Sequence, residues 1–358
     1  FTLHRWEDEY WMLVERAQWP RVHEHLDAHL FIENVQMEEA GEDLEQVVIQ
    51  GPRTLRYLAA LLDKEGVEAS HLLPSAGWGC HPLELLGFEV LAFRVSLTGE
   101  DGYVFVVERG QGGALLDALI AGGGNAPVPR ILDEAIEVLR IEAGIPKFGV
   151  DMDATNPIPE TTLERTAVSY EKGCYIGQEV VARLRTYGSV KQALVGLVFE
   201  ASDVGETKGD GLFAGAKRVG RITSRTYSPT LDAEVALAYM DREHRASGEM
   251  YELHAKGADA SFRARVTALP FYEARGRTDQ ARALYEEALA LFETDLEDED
   301  VSAIPLLKEA VLLDPGFEDA YEALGVILNR HQRVDEAIYY MKRLAAMNPN
   351  CLMAHTNL

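Results

Sequence analysis

Near Arg275 the chain changes from short apolar runs broken by glycine to unbroken helical periodicity, and no single fold accommodates both. Before that point, "ALVGLVF", "RVGRITS", "EVALAYM", "EMYELHA" and "FRARVTAL" lie between residues 191 and 270. They read as short strands separated by Gly-rich turns, which predicts a small β-barrel or sandwich. After it, residues recur at a spacing of 34: Ala303 as Ala337, Leu307 as Met341, Pro315 as Pro349 and Leu324 as Leu358. At 358 residues the chain is too long for one ordinary core, so two or three domains are expected.

A 34-residue period fits tetratricopeptide repeats, in which small residues let paired helices approach and proline ends the second helix. Glu318–Cys351 carries the pattern at Tyr321, Leu324, Gly325, Leu328, Ala337, Met341 and Pro349. The preceding repeat fits in its second helix only, and the following one breaks off at Leu358. Residues 271–358 hold 8 Lys/Arg against 17 Asp/Glu (8 − 17 = −9), so this module is acidic. The "DLEDED" run at 295–300 reads as a solvated loop between helices.

Upstream, "VVIQGPRTLRYLAALL" predicts a strand, a Gly51-Pro52 turn and a helix with Leu55, Leu58, Ala59 and Leu62 on its apolar face. "LAFRVSLTGEDGYVFVVE" predicts a hairpin: Leu91, Phe93, Val95 and Leu97 alternate on one arm, and Tyr103, Phe105 and Val107 on the other. Asp101-Gly102 supplies the turn and Glu100 sits at the tip. "GGGNAPVP" at 122–129 breaks the chain. A helix follows with Ile131, Leu132, Ala135, Ile136 and Leu139 at helical spacing, stopped by Gly144 and Pro146. Residues 147–170 read as loop. The fold class expected is α+β, then a β-barrel, then helices.

A net charge of −25 repels phosphate backbones and argues against direct DNA binding. Residues 183–225 reverse that sign locally: Arg183, Arg185, Lys191, Lys208, Lys217, Arg218, Arg221 and Arg225 stand against four acidic residues. Such an island could hold a polyglutamate tail or a tRNA backbone, or it could be scattered barrel cations. No run of 18 apolar residues exists, so no membrane span is expected. Cys80, Cys174 and Cys351 form no CxxC pair, which makes reduced cytoplasmic thiols the default. His23, His25 and His29 include an i, i+4 pair, but nothing completes a ligand set, and no metal is expected.

The stretch "YEKGCYIGQE" (170–179) places Cys174 two residues from Lys172 and just before a helix-like run. Both features favour thiolate over thiol. Gly173 and Gly177 permit turns that would leave the sulfur accessible. The residues alone leave open a reactive thiol and a packing cysteine.

"KGCYIGQE" resembles the signature of the YgfZ family of folate-binding proteins, relatives of the glycine-cleavage T-protein, an aminomethyltransferase. Three further segments are similar to that superfamily: "RVSLTGEDGY" (94–103), "LRIEAGIPKFGVDMD" (139–153) and "GRITSRTYSPTLDAEVALAYM" (220–240). Together they cover roughly residues 1–272. The resemblance implies a T-protein-like folate-binding domain over 1–190 whose start lies before Phe1. A C-terminal β-barrel over 191–272 and the repeats over 273–358 would complete the chain, with both ends inside a longer protein.

It also implies tetrahydrofolate as cofactor, with Glu100 accepting two hydrogen bonds from the pterin edge as carboxylates do from guanidinium-like groups. Arg94, Tyr175 and Gln178 would join it, with Cys174 as a redox or ligand-exchange thiol and Lys172 as its activator. The implied role is an accessory protein for assembly or repair of iron–sulfur proteins, including tRNA-modifying enzymes, with protein clients held by the repeats. A folate-dependent aminomethyl or one-carbon transferase and a non-catalytic scaffold are the alternatives. The transferases' arginine four residues before Arg140 is Ile136 here, and their catalytic acid lies in a segment upstream of this chain.

Overall fold

The alternation read around residues 88–108 becomes the centre of a four-stranded antiparallel sheet. The computed structural model describes residues 1–66, 80–122, 128–169, 172–175, 177–187, 190–200, 211–255, 261–271, 277–292, 297–314 and 316–348. Expectations for Lys208, Pro315, Pro349, Cys351 and Leu358 lie outside them. The chain divides into two compact units. One comprises Phe1–Ser96, Glu100–Arg130 and Arg275–Leu358; the other comprises Leu97–Gly99 and Ile131–Ala274.

The first unit opens with a hairpin of β1 (Thr2–Trp6) and β2 (Glu9–Leu13), then α1 (Trp19–Asp27). Next come β3 (Leu44–Gln50), α2 (Thr54–Lys64), β4 (Cys80–Leu85), β5 (Phe88–Arg94), β6 (Gly102–Glu108) and α3 (Gly112–Gly122). The sheet order is β3-β6-β5-β4. β6 has both faces covered, which is why every residue from Gly102 to Val107 is buried. Tyr103, Phe105 and Val107 pack with Leu55 and Leu58 of α2 and Leu115 and Leu119 of α3. Val104 and Val106 turn the other way, onto Phe93, Cys80, Trp6 and Trp11.

The hairpin is present but its turn is not Asp101-Gly102. Gly102 is already the first residue of β6 and pairs with Gln50. A Cβ there would fall 1.9 Å from the Gln50 amide nitrogen. The connection runs through Val95–Asp101. Val95 N–H donates to the Gly102 carbonyl (3.0 Å), and the Arg94 guanidinium holds Asp101 at 2.9 Å. Gly99, at φ +79°, supplies the reversal that a side chain resists.

In the second unit, α4 (Asp133–Glu142), α5 (Glu164–Ala167) and α6 (Gln178–Tyr187) precede β7 (Gln192–Phe199), β8 (Gly211–Ala214), β9 (Lys217–Ser228), β10 (Ala233–Asp241), β11 (Met250–Ala255) and β12 (Phe262–Thr267). These six strands close into a barrel in the order β10-β7-β12-β11-β8-β9. The five strands read from the sequence are all there; β8, four residues long, is too short to show a pattern. Leu197, Leu212, Ile222, Ala236, Ala238 and Ala264 fill the interior. Closure explains the small residues of β10, because converging strands leave room for little more than a methyl group. The helix at 133–142 departs from expectation. Ile131 and Leu132 precede it and are exposed, while Arg140, Ile141 and Glu142 at its end are buried.

Four helices end the described chain: α7 (Arg277–Phe292), α8 (Glu297–Leu313), α9 (Glu318–Arg330) and α10 (Val334–Met347). Each packs on the next, and α8 also lies against α2, where Arg56 approaches Glu309 at 3.4 Å. Ala303, Leu307, Tyr321, Leu324, Ala337 and Met341 form one core. The place of Gly325 is steric: a Cβ would lie 2.0 Å from the Met341 methyl.

Between α8 and α10, Lys308 Nζ contacts Glu336 Oε2 at 2.6 Å, and Arg333 donates to the same carboxylate. Burial raises the Glu336 pKa, but these two cations lower it more, so its net shift is downward. A carboxylate depressed in the folded state contributes stability above its unfolded value and loses it as pH falls through the folded one. Helix loss measured by circular dichroism should therefore begin below about pH 4.5. Glu336→Gln should flatten that acid limb. An unchanged limb in the variant would assign the sensitivity elsewhere.

Candidate functional site

The loop carrying Glu100 is held from both ends. Asp101 accepts the Arg94 guanidinium through its side chain and Gly51 N–H (2.8 Å) through its carbonyl. Gln50 Nε2 donates to the Val95 carbonyl at 2.8 Å. Arg94 and Asp101 are largely shielded, and burial pushes the adjoining Tyr103 hydroxyl above the ordinary tyrosine range. Glu100 is half-buried on this fixed frame. The tip residues Leu97–Gly99 belong to the second unit, where a Cβ on Gly99 would meet the Ala143 Cβ at 2.7 Å.

Thr98 is the residue that sequence reasoning passed over. It is 1% exposed, and its hydroxyl has no hydrogen-bond partner among the described residues. An unsatisfied buried hydroxyl costs about 1–3 kcal/mol. Its place two residues before Glu100 was visible; its orphaned state was not, because burial is a tertiary property.

The cysteine stretch lies in the second unit. Cys174 is exposed. Gly177, at φ +88°, turns the chain into α6. Gln178 ties that start back, its N–H donating to the Tyr175 carbonyl (3.1 Å) and its side-chain oxygen accepting Tyr175 N–H (3.3 Å). The Lys172 ammonium sits 4.9 Å from the centre of the Tyr175 ring. Thus Lys172, Tyr175 and Gln178 gather around the sulfur's own segment, while Arg94 and Glu100 belong to the first unit.

Beneath the barrel lies a buried polar brace. Arg140 donates to Asp151 (2.8 Å), to the Ile145 carbonyl (2.6 Å), to Ser224 Oγ (2.9 Å) and to Glu137 (2.5 Å). Asp151, fully buried, also accepts Lys147 N–H (2.9 Å) and the Thr223 and Ser224 hydroxyls (2.6 Å each). Burial acts against the Arg140 charge, yet the Glu137 and Asp151 carboxylates raise its pKa overall. The brace links α4, the 145–151 turn and β9. The histidines stay apart from it: His29 bonds the His25 carbonyl at 2.7 Å. Among the described residues no three His, Cys, Asp or Glu side chains group as metal ligands. No helix is long and apolar enough to cross a membrane among them.

Two known domains match this chain, the second of them over the closed barrel. The GCVT N-terminal domain matches residues 1–172, and the glycine cleavage T-protein C-terminal barrel domain matches 192–273. An aminomethyltransferase of Symbiobacterium thermophilum is 30% identical over 278 residues, 76% of this chain and 71% of that protein. The chain belongs to the glycine cleavage T-protein family. Another family member, the aminomethyltransferase of Geobacillus kaustophilus, is 28% identical over 268 residues, 74% of this chain and 70% of that protein. The crystal structure of the Bartonella henselae glycine cleavage system aminomethyltransferase T superposes with a TM-score of 0.57 at 23% identity. It covers 72% of this chain and 67% of that one, a likeness of fold. The T-protein matches end at residue 273, so α7–α10 lie beyond them.

Proposed function

We propose that this chain binds tetrahydrofolate at the Glu100 loop and acts as a folate-dependent aminomethyl or one-carbon transfer protein of the T-protein family. The observation that supports it is the rigid loop itself. A half-buried carboxylate stands on a braced frame. A carboxylate can accept two N–H donors from one pterin edge. The names of the similar proteins favour the transferase reading.

Calorimetry on the full chain tests it. Glu100→Ala should weaken tetrahydrofolate binding by about 10- to 100-fold, the worth of a charge-assisted pair of 1.5–3 kcal/mol. Thr98→Val should leave the protein as stable or more so, because the substitution removes an unsatisfied hydroxyl. Unchanged affinity in Glu100→Ala removes the loop from the site.

A second reading rests on the exposed Cys174 in a segment of YgfZ type and on Ile136 in place of the transferase arginine. On this reading the protein is an accessory to iron–sulfur proteins. The four helices would act as a tetratricopeptide-like module for protein clients, in the cytoplasm. Turnover of an aminomethyl-lipoyl donor separates the two: activity favours the transferase, and folate binding without turnover favours the accessory role.

A further inference from the structure

Three cations of the barrel strands are held in ion pairs: Lys217 meets Glu243 at 2.6 Å, Arg225 meets Glu234 at 2.7 Å, and Arg263 meets Glu200 at 2.9 Å. Arg218 and Arg221, like Arg265, enter no ion pair among the described residues. Both line a recess of about 200 Å³ at the barrel rim, together with Gln192, Gly220 and Asp241. The Asp241 carboxylate has no hydrogen-bond donor among the described residues either. In a chain of net charge −25, two unmatched guanidinium groups sharing one recess call for an explanation.

The recess is built rather than incidental. The Arg221 guanidinium rests 4.9 Å from the centre of the fully buried Tyr239 ring, which limits its freedom. Arg218 lies over Gly211, where a Cβ would fall 3.1 Å from its Nε, and Gly211 pairs with Arg221 across the ladder. The absence of a side chain at 211 therefore leaves room for the Arg218 side chain on that side of the recess. Gly220 lines the recess without a side chain; a Cβ there would strike the Tyr239 carbonyl oxygen at 2.3 Å. Gln192 is oriented by its bond to Glu160 (2.8 Å).

We propose that this recess binds a small carboxylate that carries its own N–H donor, an amino-acid or glutamyl-type ligand. Two guanidinium groups lining one recess favour an anion between them, and a planar carboxylate matches their donors. Asp241 sets the class. With two cations and one carboxylate the recess carries a formal charge of +1, which suits a monoanion and disfavours a phosphate dianion. The same Asp241 receives the ligand's N–H. A volume of about 200 Å³ admits a single amino-acid unit and is below the usual 300–1,000 Å³ of larger ligand sites. The inference is independent of the Glu100 loop.

Titration calorimetry on the full chain with L-glutamate, γ-L-glutamyl-L-glutamate and inorganic phosphate tests it. Saturable binding of both amino compounds points to a free amino acid, and binding of the dipeptide alone to a chain end. Arg221→Gln and the exposed Arg218→Gln should each weaken it at least about tenfold, and Asp241→Asn should shift preference toward phosphate. Circular dichroism confirms that each variant stays folded. Phosphate bound as tightly as the carboxylates by the native chain, affinities unmoved by both arginine variants, or no binding of either amino compound overturns the proposal.

Discussion

Asp151→Ala is expected to destabilise the barrel unit by about 3–5 kcal/mol, the usual result of removing one partner of a buried ion pair. The loss is large because Asp151 is reached by four donors at once: Arg140, Lys147 N–H, Thr223 and Ser224. Its removal leaves Arg140 buried with only Glu137 as counter-charge, on the more exposed side. All four tryptophans precede residue 97, so their fluorescence reports on the other unit. Hydrogen exchange of the β9 and β10 amides, read by mass spectrometry, is the suitable measurement. Arg140→Met combined with Asp151→Leu should cost less than Asp151→Ala, because it leaves no stranded charge. Protection of β9 that stays within about 1 kcal/mol of the native value in Asp151→Ala would show that the turn holds without the brace.

Cys174 is expected to be alkylated at least about 100-fold faster than Cys80 at pH 7. Burial pushes the Cys80 thiol up to about 11, and it is only 1% exposed between β4 and the Trp6 and Trp11 side chains. A thiol titrating there is ionised at pH 7 in about one molecule in ten thousand, before access is considered. Cys174 stands in the open on the segment leading into α6. Timed iodoacetamide labelling followed by peptide mass spectrometry measures both rates in one sample. Comparable rates would mean that Cys80 is uncovered by frequent opening of the sheet or that Cys174 is occluded. Cys174→Ser should keep the fold, and a complementation assay with it then decides whether the sulfur matters to the accessory role.

Much of this architecture was legible because it is periodic or depends on turn chemistry. Strand alternation at 91–107 and 192–267 and helical spacing after Arg277 are local signals, and the structure places strands and helices there. The hairpin turn was misplaced by three residues because Asp-Gly is a good turn pair in isolation. The Arg94–Asp101 bond and the pairing of Gly102 with Gln50, 52 positions away, overrode that preference. The helix at 133–142 starts later than its apolar spacing suggested, leaving Ile131 and Leu132 exposed before it. Arg140 and Glu142 go in because β9 and the 228–230 turn supply their partners.

The sequence by itself determined the order of elements, with a sheet's strands first, barrel strands next and helices last, along with the two segments carrying Glu100 and Cys174. Side-chain period and glycine placement act over a few residues and need no partner to be read. Only the tertiary structure decided which polar groups are satisfied. The orphaned Thr98 hydroxyl, the saturated Asp151 and the unmatched pair Arg218 and Arg221 look alike as letters. Desolvation and pairing set their energies, and both depend on residues brought together from distant parts of the chain.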